Sequence, residues 1–127
     1  GLGIVLRADV EAFPLSKPAT QPEPAPKLDP LIHPINRLKI CAALLASGAV
    51  EGPTRREMKF ASLQNITGLS APTLSKQLTA LEEHGYVTRF REYGSSRDKD
   101  VVWVMLTRGG RSAYDGHIAA LQDIAGQ

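Results

Sequence analysis

Helical periodicity switches on at Pro34. Ile35, Leu38, Ala42 and Leu45 follow at steps of three and four, the spacing that gathers side chains on one face of an α-helix. Pro34 suits a first helical turn, where its missing N–H would be unpaired anyway, and Ser47-Gly48 interrupts the pattern. A first helix is therefore predicted over about 34–46. A polar stretch through Arg56 reads as a loop into a short strand around Met58. Phe60, Leu63 and Ile66 then mark a short second helix, closed by Gly68 where a left-handed cap residue is favoured.

Ser70 opens the most informative run. It is a strong N-cap residue, Pro72 falls in the first turn, and Leu74, Leu78 and Leu81 share one helical face up to His84, with Gly85 as the stop. The period then changes to two. The β-rich runs 86–93 and 101–106 are joined by Gly94, Ser95, Ser96, Arg97, Asp98, Lys99 and Asp100, the signature of a hairpin with a long polar tip. Val102, Val104 and Leu106 alternate with Trp103 and Met105, so one set faces away from the core. An outward Trp103 would be an interface anchor; cover from the arm or the last helix of the same chain is the equal alternative. Thr107 caps a last helix with an apolar stripe of Tyr114, Ile118, Leu121 and Ala125. Two short helices about a tight turn, followed by a hairpin, give the order of a winged helix-turn-helix. The expected fold is mainly α with a small β-hairpin wing, an α+β architecture of three core helices plus a C-terminal dimerisation helix.

Seven of the nine prolines lie between Phe13 and Pro34, a composition that favours extended chain over a packed element. Residues 1–30 are read as a Pro-rich arm or linker, either a free leader or a strap on a partner subunit, and 31–127 as one domain, all that 127 residues with 43% hydrophobic content readily accommodate. A Gly at position 1 reads as a processed start and carries no functional weight. Ile4, Val5 and Leu6 form the strongest apolar run near that end, too short for a signal core or a membrane span. A cytoplasmic location is expected.

The net charge of +2 says little by itself, but its distribution says more. Residues 54–111 carry ten Lys/Arg against six Asp/Glu, whereas the rest of the chain carries five against seven. The excess of positive charge coincides with the helix-turn-helix and wing. With the leucines inside, the opposite face of helix 70–84 presents Pro72, Thr73, Lys76, Thr79 and Ala80, small and polar enough to enter a major groove. Hydroxyls of Thr73 and Ser75 can reach phosphates or base edges, and the first-turn N–H groups favour a phosphate. Candidate contacts to double-stranded DNA are thus Ser70, Pro72, Thr73, Ser75, Lys76, Gln77 and Thr79, with Arg97 and Lys99 at the wing 94–100; Asp98 and Asp100 dilute the wing's charge.

The runs Leu69-Ser70-Ala71-Pro72-Thr73-Leu74-Ser75-Lys76-Gln77-Leu78, Leu81-Glu82-Glu83-His84-Gly85-Tyr86-Val87 and Leu106-Thr107-Arg108-Gly109-Gly110-Arg111 resemble the recognition-helix and post-wing segments of the MarR/ArsR-like winged-helix regulators. The approach Leu28-Asp29-Pro30-Leu31-Ile32-His33-Pro34 is similar to that of a small single-domain branch of the group, and the resemblance spans about 28–125. It implies a transcriptional regulator, a homodimer on a pseudopalindromic operator, probing by a ligand or redox signal in many members, and no enzymatic activity. Where relatives place Leu just before the Gly ending the second helix, this chain has Thr67.

Tyr114, His117, Ile118, Leu121 and Ile124 are the expected dimer contacts. Any small-molecule pocket is expected between the first helix, the last helix and the partner, lined by Leu45, Cys41, Tyr114 and Ile118. Cys41, the single cysteine, falls on the apolar face of the first helix and reads as a core residue. His33, His84 and His117 are too far apart in sequence for a local ligand cluster, and no Cys-X-Cys pattern accompanies them, so no metal and no cofactor is expected. No nucleophile elbow, phosphate loop or paired-carboxylate spacing is present either. The competing function is a winged-helix protein-interaction module without base readout.

Overall fold

The computed structural model describes residues 24–54 and 56–126. Arg55 and the greater part of the Pro-rich arm, 1–23, lie outside the described residues. Four helices and a three-stranded sheet follow in the order α1 (Ile35–Ala46), β1 (Met58–Lys59), α2 (Phe60–Thr67), α3 (Ala71–Glu83), β2 (Val87–Glu92), β3 (Val101–Leu106) and α4 (Arg108–Ala125). This is a winged helix, α+β, as the pattern predicts.

Local signals explain most boundaries. Pro34 stands immediately before α1. Gly68 closes α2 in the left-handed conformation, at φ 74°, a geometry that other residues adopt only with strain. Ser70 caps α3 by accepting the Thr73 amide, and Thr107 caps α4 by accepting that of Gly110, each satisfying one of the donors a helix start leaves unpaired. The first turn of α4 gains a second partner from outside: the Glu51 carboxylate accepts the Arg108 amide at 2.9 Å. The hairpin strands are one residue shorter at each end of the first run than expected, Tyr86 and Tyr93 falling just outside β2. Between the strands Arg97–Lys99 forms a single 3-10 turn.

The sheet is antiparallel with order β1-β3-β2. Val87 faces Leu106, Arg89 faces Val104 and Phe90 faces Trp103 across the hairpin, while Lys59 faces Trp103 from the other side. Val50 adds a parallel bridge to Leu106. Ile40, Cys41 and Leu44 of α1, Leu63 of α2, the three leucines 74, 78 and 81 of α3, and Val87, Val104 and Leu106 of the sheet make one core, with Ile32 plugged into it from ahead of α1. Truncating any of these leucines to Ala is expected to cost about 2–5 kcal/mol.

Thr67, where a leucine was the family expectation, is buried and donates its hydroxyl to the Leu63 carbonyl at 2.8 Å, so the polar group is satisfied inside its own helix. Ile66, counted with the apolar face of the second helix, instead is 58% exposed. On β3 both alternating sets are covered near the C-terminal end: Val104 and Leu106 are fully buried and Met105 is buried as well. Trp103 is half-buried, with its indole N–H donated to Glu92 at 3.1 Å and the Lys59 ammonium 5.7 Å from the ring.

Candidate nucleic-acid interface

Three buried leucines orient α3, and everything about its outer face follows from that. Leu74, Leu78 and Leu81 have no exposure; at 100° per residue Pro72, Ser75, Lys76 and Thr79 are turned outward, and all four are exposed. Ser70 and Thr73 are spent on the cap. Ser70 Oγ accepts the Thr73 amide at 3.3 Å and donates to Thr73 Oγ1 at 3.0 Å. Gln77 is half-buried, its side-chain carbonyl accepting from Arg37 Nη1 at 2.7 Å. It ties α3 to α1 and sits at the margin of the outward face.

One of the two carboxylates at the end of that helix, Glu82, is held by a residue of the wing. Arg89 on β2 bonds Glu82 through Nε and Nη2, the shorter contact 2.8 Å, and donates from Nη2 to Thr79 Oγ1 at 3.0 Å. Thr79 in turn donates to the Ser75 carbonyl. A forked guanidinium thus locks helix to wing and neutralises Glu82, while Glu83 stays exposed at the C-terminal end of the outward face. Arg91, two residues on and 51% exposed, reaches Asp100 at 3.4 Å. Ser75, Arg89 and Arg91, with Phe60 and Val102, line a cleft of about 390 Å³ between α3 and the sheet. A phosphate oxygen fits such a cleft by size and charge. Arg89 and Arg91 were counted in the basic excess of the sequence but not singled out; strand alternation, which places 87, 89 and 91 on one face, is the signal that finds them.

At the wing tip Arg97 and Lys99 are exposed. The two acids beside them are engaged: Asp100 accepts the Gly94 amide at 2.9 Å as well as Arg91, and Asp98 accepts the Ser96 hydroxyl. The basic side chains are therefore the groups left to face outward.

The expected dimer residues divide. Tyr114, Ile118 and Leu121 are half-buried and Ile124 is 67% exposed, whereas His117 is fully buried within the chain. His117 Nδ1 accepts the Asp29 amide at 2.9 Å, and its Nε2 lies 3.3 Å from His33 Nδ1. Two histidines separated by 84 residues are thus brought together by the fold. A backbone N–H can only donate, so neutral His117 must carry its proton on Nε2 and donate to His33. That tautomer leaves no lone pair for a metal on the side facing His33. Among the described residues no group of three His, Cys, Asp or Glu side chains could hold a metal ion. Burial lowers the His117 pKa, proximity to His33 adds to this, and Asp29 opposes it.

The same contacts dock residues 24–33 as a strap across α4. Lys27 donates its amide to the Gly116 carbonyl at 3.0 Å, and the Tyr86 hydroxyl donates to Asp29 Oδ2. Asp29 Oδ1 accepts the amides of Leu31 and Ile32. Burial alone would raise the Asp29 carboxyl; the Tyr86 hydroxyl and these two amides outweigh it and hold the group below its ordinary value. Tyr86 is pushed up to about 12, by burial and then by Asp29. Cys41, with no exposure, is likewise pushed up to about 12 by burial and secondarily by Asp29. The region expected to hold a pocket, around Leu45, Cys41, Tyr114 and Ile118, belongs in part to the core. A separate cavity lies between strap, α4 and the end of α3.

No helix among the described residues is long and apolar enough to cross a membrane. A family model for the winged helix DNA-binding domain matches residues 37–125. Among solved structures, the transcriptional regulator homologue protein from Pyrococcus horikoshii OT3 superposes with a TM-score of 0.61 at 21% identity, covering 74% of this chain and 83% of that one. NadR, solved in complex with 4-hydroxyphenylacetate, gives 0.56 at 22% identity, with 75% of this chain and 62% of the other covered. No curated protein matches the sequence.

Proposed function

The chain belongs to the winged helix DNA-binding domain family, and from that premise we propose that it is a dimeric, cytoplasmic transcriptional repressor that works by binding alone. Helix 70–84 reads a pseudopalindromic operator in the major groove, and the wing 94–100 touches the flanking backbone or minor groove. One observation carries the reading. The outward face of α3, with Ser75, Lys76 and Thr79, borders the Arg89–Arg91 cleft, where Glu82 is held by Arg89, and its exposed acid, Glu83, stands only at the far end of the helix. Lys76 and the wing residues Arg97 and Lys99 extend that surface; Ser70, Pro72 and Thr73 set its N-terminal end, where Pro72 lacks an N–H and the Thr73 amide is taken by the Ser70 cap.

Dimerisation is assigned to the apolar stripe of α4 that remains accessible, Tyr114, Ile118, Leu121 and Ile124. The folded domain in this reading is 31–127, with 1–30 as an arm whose last residues dock on it. NadR was solved with a bound small molecule, and an effector is the expected input here too. The alternative, a protein-interaction module, is disfavoured by the basic character of the α3–wing surface.

The test is a titration of the protein on DNA from upstream of its own gene at two salt concentrations, beside a Lys76→Ala/Arg97→Ala double variant. Tight, salt-sensitive, competitor-resistant binding lost in the variant is the expected result, since each phosphate contact releases counterions. Absence of binding to that fragment and to a random-sequence pool refutes the reading in favour of a protein partner.

A further inference from the structure

All three histidines of the chain gather around one residue of the strap, Asp29. His117 of α4 accepts the Asp29 amide at Nδ1, and its Nε2 lies 3.3 Å from His33 Nδ1, the two rings edge to face with centroids 5.2 Å apart. His84, at the end of α3, stands edge-on to Tyr86 at 4.8 Å, and the Tyr86 hydroxyl donates to Asp29 Oδ2. Residues 24–30 themselves bury little: Asp29 is half-buried and the others are exposed. Their hold on α4 therefore rests on a few polar contacts, the Lys27 amide on the Gly116 carbonyl and the bonds of Asp29, rather than on apolar area. Ile32, three residues beyond Asp29, has no exposure and marks where the surface segment becomes core.

The hydrogen bonds from the Asp29 amide to His117 and on to His33 can run in one direction only. The amide cannot accept, so neutral His117 keeps its proton on Nε2 and donates it to His33 Nδ1. A proton added to His117 goes to Nδ1 and faces the Asp29 N–H; one added to His33 goes to Nδ1 and faces the His117 N–H. Either way two donors meet and a bond is lost. The surrounding groups are poorly placed to take up the charge. Asp29 is committed to three donors, the Leu31 and Ile32 amides on Oδ1 and the Tyr86 hydroxyl on Oδ2. On α4, Asp115 pairs with Arg111 at 3.6 Å, and Tyr114 is a neutral phenol whose pKa burial raises. On α1, Arg37 is a cation tied to the Leu31 carbonyl and Gln77, and Cys41 is a buried thiol. Lys27 on the strap and His84 after α3 can add only positive charge. Burial, then the nearness of His33, holds His117 below its ordinary 6.5 against the pull of Asp29, so the undocked chain takes up the proton first. We propose that the bonds joining Asp29, His117 and His33 form a proton-operated latch: acidification through the histidine range releases residues 24–30 from α4 and leaves the helices and sheet folded, with Ile32 as the anchor where release stops. The ratio of docked to free strap falls by up to about ten-fold per pH unit below about 6.5 for each proton taken up. Release uncovers His117 and the side of α4 that carries Gly116, and none of this depends on DNA binding.

The experiment places a nitroxide spin label on an Ala25→Cys variant of the full chain and follows ¹H–¹⁵N spectra from about pH 8 to about pH 5. Ala25 is exposed and its carbonyl crosses α4 at Gly116, while Cys41 has no exposure, so the label reports from position 25. The Gly116 and Ala120 amides are expected to be broadened at the upper end and to recover as pH falls below about 6.5. The ¹H–¹⁵N NOE of Lys27 and Asp29 should drop in step, while the core amides of Leu74 and Val104 keep their shifts. His117→Asn and His33→Asn each retain an acceptor oxygen near the place of Nδ1 but take up no proton, so each should move the release to lower pH by at least about half a unit. His84→Asn should leave the midpoint in place. His33 is exposed, so its variant reports even if His117→Asn fails to fold. Absence of broadening at about pH 8, a strap still docked at about pH 5, a midpoint that His33→Asn leaves unmoved, or loss of the core signals together with the strap would each overturn the latch.

Discussion

Gly109 and Gly110 are adjacent in the first turn of α4, yet replacing each by Ala is expected to change stability in opposite directions. A methyl group at Gly109 meets nothing nearer than Thr107 Oγ1 at 3.8 Å. Ala there gains helix propensity and restricts the unfolded chain, so Gly109→Ala should stabilise by roughly 0.5 kcal/mol, less than the interior value because the site is in the first turn. The same methyl at Gly110 would stand 2.2 Å from the Tyr86 carbonyl oxygen and 2.9 Å from Leu106 Cδ1. That carbonyl cannot simply turn aside, since it accepts the Thr107 amide at 2.9 Å. Relief requires moving the start of α4 off the sheet by about 1 Å, at an overpacking cost of about 1–3 kcal/mol. The Thr107–Tyr86 bond is lost with it, worth about 1 kcal/mol more. After the propensity gain, Gly110→Ala should destabilise by roughly 2–3 kcal/mol, or about 10–20 °C in Tm for a domain near 100 residues. Urea unfolding followed by circular dichroism measures both. Changes of the same sign, or a Gly110→Ala variant within about 0.5 kcal/mol of the parent, would refute the steric argument.

Three further outcomes follow from other parts of the molecule. The His117 pKa lies below its ordinary 6.5, so the unfolded chain takes up the proton first: stability is complete above about 6.5 and falls as pH drops below it, by at most about 1.4 kcal/mol per pH unit. Hydrogen exchange at the Asp29 amide reads this directly, and protection that stays flat between about pH 7.5 and 5 would contradict the tautomer assignment. Cys41, buried and with its thiol pushed up to about 12, should react with iodoacetamide only as fast as the domain unfolds; rapid labelling of the native protein would show a packing fault around α1. Arg91→Ala should weaken DNA binding equally on all sequences and reduce the salt slope by about one, whereas a loss confined to one operator would make Arg91 a base-reading residue.

The elements bounded by local chemistry were legible before the fold was known. Ser70, Gly68, Thr107 and Pro34 each act on neighbours within four residues, and α2, α3 and α4 start or stop where those residues place them. The outward face of α3 was legible for the same reason, since helical spacing and three leucines determine it. What sequence reading did not supply depends on partners far along the chain. A Pro-rich run has no periodicity, so nothing local says that Asp29 meets Tyr86 and His117, or that His33 meets His117. Gln77 lies one step from Lys76 on the helix, and only the position of Arg37 on α1 decides that its amide turns inward. The cavity under the strap is invisible for both reasons.

Seen as an event in time, the strap has a distinctive place in the life of the molecule. Its hydrogen bonds span 88 residues to His117 and 89 to Gly116, so they close the longest hydrogen-bonded loops among the described residues and reward nothing until α4 has docked. Contacts of that kind form after the folding barrier, and strengthening them slows unfolding without hastening folding. The segment is therefore a brake on escape from the native state, the last part of the domain to arrive and the first that must let go.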